Sequence, residues 1–112
     1  MGIHYDTHHA HIEDPDIGET LRRYGRHIKH VHLSENHRGT PGQGLVRWEE
    51  TFGALREIDY RGHMVIEAFG QGVPELIAPG HVWRTNFESE DQLVRDAFTF
   101  LEPQVERIRS YA

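Results

Sequence analysis

The 112-residue chain contains no cysteine, which removes disulfides and thiolate-bound metals from consideration. No apolar run approaches the roughly 20 residues that cross a bilayer, so no membrane partner is expected. The opening Met1-Gly2-Ile3-His4 lacks the basic start and apolar core of a secretion signal, and a cytoplasmic protein is the expectation. Basic residues are also scarce: 12 Lys and Arg stand against 18 Asp and Glu, a formal charge of −6. That balance argues against sequence-independent nucleic-acid binding, which depends on releasing counterions with Lys and Arg. The chain has no Gly-x-Ser-x-Gly elbow for serine hydrolysis. Its Gly39-Thr40-Pro41-Gly42-Gln43-Gly44 run lacks both the Gly-Lys-Ser/Thr ending and the GxGxxG spacing of phosphate-binding loops.

Histidine, by contrast, is abundant, with ten residues. The sequence reads as strand, helix, strand, helix, strand, long loop, helix. Three short apolar runs, Ile3-His4-Tyr5-Asp6, His30-Val31-His32-Leu33 and Met64-Val65-Ile66-Glu67, have strand character. Thr7 to Glu13 reads as a polar loop, with Asp14 as N-cap and Pro15 opening a helix that carries Ile17, Leu21 and Tyr24 and stops at Gly25. Trp48, Phe52, Leu55 and Ile58 fall at helical steps. Residues 70–87 read as a loop with a short turn around Pro74 to Ala78. Ser89 and Gln92 form a capping box before a helix lined by Leu93, Ala97, Leu101, Val105 and Ile108, with Phe98 nearby. Pro103 is expected to kink or interrupt it.

Strands alternating with helices predict parallel strands joined by right-handed crossovers. The fold class expected is α/β, with a short parallel sheet in one domain of residues 1–112. A complete (β/α)8 barrel takes roughly 250 residues, so three consecutive βα units make a partial barrel. Both edges of a three-stranded sheet invite pairing with another chain. A homo-oligomer, or pairing with the missing part of a barrel, is therefore expected.

Asp6, His32 and Glu67 each lie at the C-terminal end of an apolar run, where α/β enzymes gather their chemistry. Alternation puts His4 with Asp6, His30 with His32, and Val65 with Glu67 on one face. The mixed O and N set suits Mn²⁺, Mg²⁺, Co²⁺ or Zn²⁺. The same residues also read as a turn cap, a buried hydrogen-bonded histidine and an ion-paired glutamate. His8 and His11 read as loop residues and His27 as surface. Arg38, six residues past His32, could hold oxygens of a polar substrate or stand solvated in its loop.

Asp6-Thr7-His8-His9 with Ile12-Glu13, His30-Val31-His32-Leu33-Ser34-Glu35-Asn36-His37-Arg38-Gly39-Thr40-Pro41-Gly42, Val65-Ile66-Glu67-Ala68-Phe69 and Trp83-Arg84 resemble the C-terminal part of the ketose (D-tagatose/D-psicose) 3-epimerases. These belong to the xylose-isomerase-like TIM-barrel superfamily. The spacing agrees: 26 residues from Asp6 to His32 and 35 from His32 to Glu67. The resemblance implies that Asp6, His32 and Glu67 ligate a divalent metal on what would be the sixth, seventh and eighth strands. It further implies that Glu67 is one of two catalytic carboxylates exchanging the C3 proton through an enediolate, and that His9 and Arg38 contact the sugar. The family's other catalytic glutamate, on the fifth strand, has no counterpart in these residues, and little activity is expected of the chain alone. Relatives often carry phenylalanine in place of His8 and asparagine in place of His11. Two other readings are a non-catalytic metal-binding domain that oligomerises through its sheet edges, and a relative of abasic-site endonucleases, which the acidic balance and the Arg38 loop count against.

Overall fold

The computed structural model describes residues 1–80 and 82–109. Three strands, β1 (Ile3–Asp6), β2 (Ile28–Leu33) and β3 (His63–Ile66), form a parallel sheet in the order β1-β2-β3. Among the described residues, four α-helices follow the strands: α1 (Thr7–Glu13), α2 (Ile17–Tyr24), α3 (Trp48–Glu57) and α4 (Glu90–Arg109). The strand ends lie where the apolar runs end, and the ladder reaches one residue past β3, where Glu67 N donates to Leu33 O at 3.1 Å.

Period-two alternation divides the sheet into two unlike faces. Tyr5, Val31 and Leu33 are buried with Ile17 and Leu21 of α2, Trp48, Phe52 and Leu55 of α3, and Ala97, Leu101 and Ile108 of α4. That layer is the core. The other face carries His4, Asp6, His30, His32 and Val65 and stays partly or fully exposed. Both outer edges of the sheet are free of strand partners among the described residues. Beside β3 lies an apolar hollow of about 910 Å³ lined by Val65, Phe69, Val94, Phe98 and Leu101, among others.

The structure corrects several local expectations. Thr7–Glu13 is a helix, not a loop. Its Thr-His-His-Ala-His-Ile-Glu sequence has no apolar period, and short helices draw most of their stability from tertiary packing. Here Thr7 and His8 are buried, and Asp6 caps the helix by accepting from His9 N at 2.9 Å. With α1 absorbing those residues, α2 begins later, with Asp16 as N-cap accepting from Glu19 N. Gly25 does not stop α2 in a left-handed conformation; its φ is −52° and a 3-10 turn continues through His27. A Cβ there would stand 2.7 Å from Ile58 Cδ1, so close packing against the end of α3 explains the glycine.

Helix α4 runs through Pro103 without interruption. Pro103 and Thr99, whose carbonyl loses a donor, both face the exposed side, where water can solvate that carbonyl. In the same turn Gln104 Nε2 donates to Phe100 O at 3.0 Å. The capping box at its start is only half made. Ser89 Oγ accepts from Gln92 N, but the Gln92 side chain turns to Asp96 Oδ1 at 2.8 Å.

Candidate metal centre

Parallel register brings Asp6 opposite His32, and His32 opposite Val65. Glu67, two residues beyond Val65, returns to the same face. The result is that one donor atom each from Asp6, His32 and Glu67 lies within 4.8 Å of the other two. His32 Nδ1 is 2.6 Å from Glu67 Oε2 and 3.8 Å from Asp6 Oδ2. Two carboxylates and an imidazole thus converge from three strands, half-buried at the mouth of a depression of about 530 Å³ that His9 also lines. Oxygen-rich mixed donors in this arrangement suit a hard or borderline divalent cation.

Both carboxylate candidates have a second task. Asp6 Oδ1 caps α1, leaving Oδ2 for the cluster. Glu67 Oε1 pairs with Arg38 Nη1 at 2.8 Å. Cap and ion pair therefore coexist with the cluster and hold its two carboxylates in fixed orientations, as outer contacts of metal ligands do elsewhere.

Arg38 is buried, with its side chain 8% exposed. Its guanidinium also donates to Ser34 Oγ, lies over the Phe69 ring at 5.1 Å, and comes within 3.5 Å of His9 Nε2. Its backbone sits at φ 68°, a left-handed conformation that side chains other than glycine adopt at a cost. Exposed His9 and buried Arg38 thus come together beside Glu67.

The loop that delivers Arg38 is organised by Glu35, which the sequence reading did not single out. Glu35 is fully buried. Its Oε1 accepts from Asn36 N and Val46 N, and its Oε2 from Gly42 N and Trp48 Nε1, at 2.7 to 3.0 Å. Gly42, at φ 96°, is the one turn residue in this loop whose backbone requires glycine. Nothing in the sequence distinguishes Glu35 from a solvated loop acid, except the turn residues and the indole that follow it.

His8 is buried, with Nδ1 3.0 Å from Glu35 O, and burial holds its imidazole below the ordinary value. His11 lies on α1, and its Nδ1 is buried without a partner, as are Tyr5 Oη and Arg38 Nε. Burial, with Asp14 next, pushes the Tyr5 phenol well above its usual range. Exposed His27 contacts only neighbouring Arg26 among the hydrogen bonds of the described residues. Trp83 and Arg84 line a separate depression with His8, Asn36 and His37.

Residues 1–104 match the xylose isomerase-like TIM barrel family, and the chain belongs to it. It is similar to the L-ribulose 3-epimerase of Methylomonas sp. (strain DH-1), with 34% identity over 102 residues, covering 89% of this chain and 36% of that protein. A crystal structure of the D-allulose 3-epimerase from Methylomonas sp. in complex with D-allulose superposes with a TM-score of 0.84 at 33% identity, over 92% of this chain and 36% of that one. The structure of an L-ribulose 3-epimerase gives 0.89 at 30% identity, over 97% and 37%. The resemblance to ketose 3-epimerases therefore holds, and the fold is a partial (β/α)8 barrel. This chain spans little more than a third of the length of these relatives, near the share that three of eight βα units would take.

Proposed function

We propose that residues 1–112 form one partial-barrel domain that contributes the metal site of a divalent-metal-dependent ketose epimerase. The observation that carries this reading is the convergence of Asp6, His32 and Glu67 from three strand ends onto one point. Their donors fit Mn²⁺, Co²⁺ or Mg²⁺, and Zn²⁺ as well. A bound cation would supply Lewis-acid polarisation of the ketose oxygens.

The chain's own side chains do the rest. Glu67 exchanges the C3 proton as general base and acid, working through an enediolate. Arg38 fixes and charge-balances Glu67 from 2.8 Å, and its second nitrogen is aimed toward His9. Together His9 and Arg38 hold sugar oxygens, the guanidinium offering donors in a fixed fork. Inversion needs a second proton-transfer group on the opposite face of C3, and in this reading it comes from another part of the barrel. Further βα units pair with the open edges of β1 and β3 and cover the apolar hollow beside β3.

The test is deuterium incorporation at C3 of D-psicose in D₂O with Mn²⁺, read by NMR. The 112 residues alone are expected to give little or no exchange. Exchange is expected when five complementary βα units of a ketose 3-epimerase are supplied, and it is lost with Glu67→Gln. Exchange that survives Glu67→Gln contradicts the assignment.

The free edges also favour a second reading, a non-catalytic metal-binding module that associates with copies of itself. Light scattering that shows stable oligomers binding Mn²⁺, with no exchange on complementation, would select it.

A further inference from the structure

One register step before the carboxylates, the same face of the sheet carries a second group of donors. Pairing aligns His4 with His30 and His30 with His63, so imidazoles form a row across all three strands. His32 stands next along β2, on the same face. The His4 and His32 ring centroids lie 4.0 Å apart at 82°, and His30 is 5.0 Å from each of them. One nitrogen each from His4, His30 and His32 lies within 4.8 Å of the other two. His4 is exposed and the others half-buried, so the group is reached from the bare face.

We infer that His4, His30 and His32 form a second metal site, an all-imidazole one that takes Zn²⁺, Ni²⁺ or Cu²⁺ and shares His32 with the carboxylate cluster. Three imidazoles without a carboxylate select borderline transition metals over Mg²⁺ or Mn²⁺. Three protein ligands also leave a fourth position for water or substrate oxygen. Bonds of about 2.0–2.1 Å to one ion place tetrahedral donors about 3.3 Å apart, and exposed His4 is free to adjust to that spacing.

His32 links the two sites. Its Nδ1 faces Glu67 at 2.6 Å. A neutral imidazole has one nitrogen lone pair, so the ring serves one ion at a time. Filling the histidine site therefore takes His32 from the carboxylate site and so weakens Mn²⁺ binding there.

Isothermal titration with Ni²⁺ alone and with Mn²⁺ alone tests this on the wild type, His4→Ala, Asp6→Asn and the surface control His27→Ala. Circular dichroism first confirms that each variant is folded, and His4→Gln serves as a second variant at that position. Ni²⁺ affinity is expected to fall at least tenfold in His4→Ala and His4→Gln, and to hold in Asp6→Asn and His27→Ala. Mn²⁺ affinity should hold in His4→Ala and fall in Asp6→Asn. Unchanged Ni²⁺ affinity in the His4 variants overturns the inference. So does an equal Ni²⁺ loss in Asp6→Asn, which would put the ion among the carboxylates, or in His27→Ala, which would mean scattered histidine binding. A His4-dependent Ni²⁺ site in a protein that does not bind Mn²⁺ sustains this inference while refuting the carboxylate metal site.

Discussion

Thr7 and Ser34 exchange two hydrogen bonds: Thr7 Oγ1 donates to Ser34 O at 2.7 Å and accepts from Ser34 N at 2.8 Å. Both residues are buried. The pair fastens the start of α1 to the exit of β2, and so fixes Asp6, which precedes Thr7, relative to His32. Thr7→Val keeps the shape but leaves a buried N–H and C=O unpaired. It is expected to lower stability by about 2 kcal/mol in urea unfolding, while Thr7→Ser stays within about 1 kcal/mol of wild type.

Glu35 is expected to be the costliest loop residue to replace. Glu35→Ala strands four buried or half-buried N–H donors, at a loss of at least about 3 kcal/mol. The loop that presents Arg38 should then become susceptible to limited proteolysis between residues 35 and 47. A Glu35→Ala protein with wild-type stability and protease resistance would show that these contacts matter little.

The left-handed backbone at Arg38 gives a paired prediction. Arg38→Gly and Arg38→Ala both lose the guanidinium, so comparing them isolates the conformation at φ 68°. Strain on a Cβ there outweighs the chain entropy that glycine loses, and Arg38→Gly is expected to be the more stable by about 0.5–1 kcal/mol. The reverse order in thermal unfolding would mean the backbone at residue 38 is not strained.

His8 predicts a pH dependence. Burial lowers its pKa in the folded chain below the ordinary value of about 6.5. Below that value the unfolded chain binds a proton that the folded chain resists, so stability falls as pH drops. Above it both states are neutral and His8 contributes no slope. His8→Phe keeps a ring in the buried site and is expected to flatten that part of the acid side of the stability profile. An identical slope between pH 7 and 5 in both proteins would exclude His8 as its source.

Much of this architecture was legible because apolar runs end where the chemistry begins. Alternation set each of Asp6, His32 and Glu67 opposite the apolar residues of its own strand, and α3 and α4 could be placed from their helical periods. What escaped was set by tertiary contacts. Helix α1 has no apolar stripe and is held by the Asp6 cap, the Thr7–Ser34 exchange and the burial of His8. Glu35 looks like any loop acid until the chain folds around it. Pro103 suggested a break, but exposure on the outer side of α4 lets packing on the inner side carry the helix through. The histidine row needed the strand register, which the sequence leaves open.

The most direct measurement is Mn²⁺ binding, by titration calorimetry or electron paramagnetic resonance, to wild type, Asp6→Asn and Glu67→Gln. Wild type is expected to bind one Mn²⁺ per chain, with affinity falling about 100-fold in either variant while the fold persists. Wild type that binds no Mn²⁺, or variants that bind it equally well, would contradict the assignment of Asp6, His32 and Glu67 as its ligands.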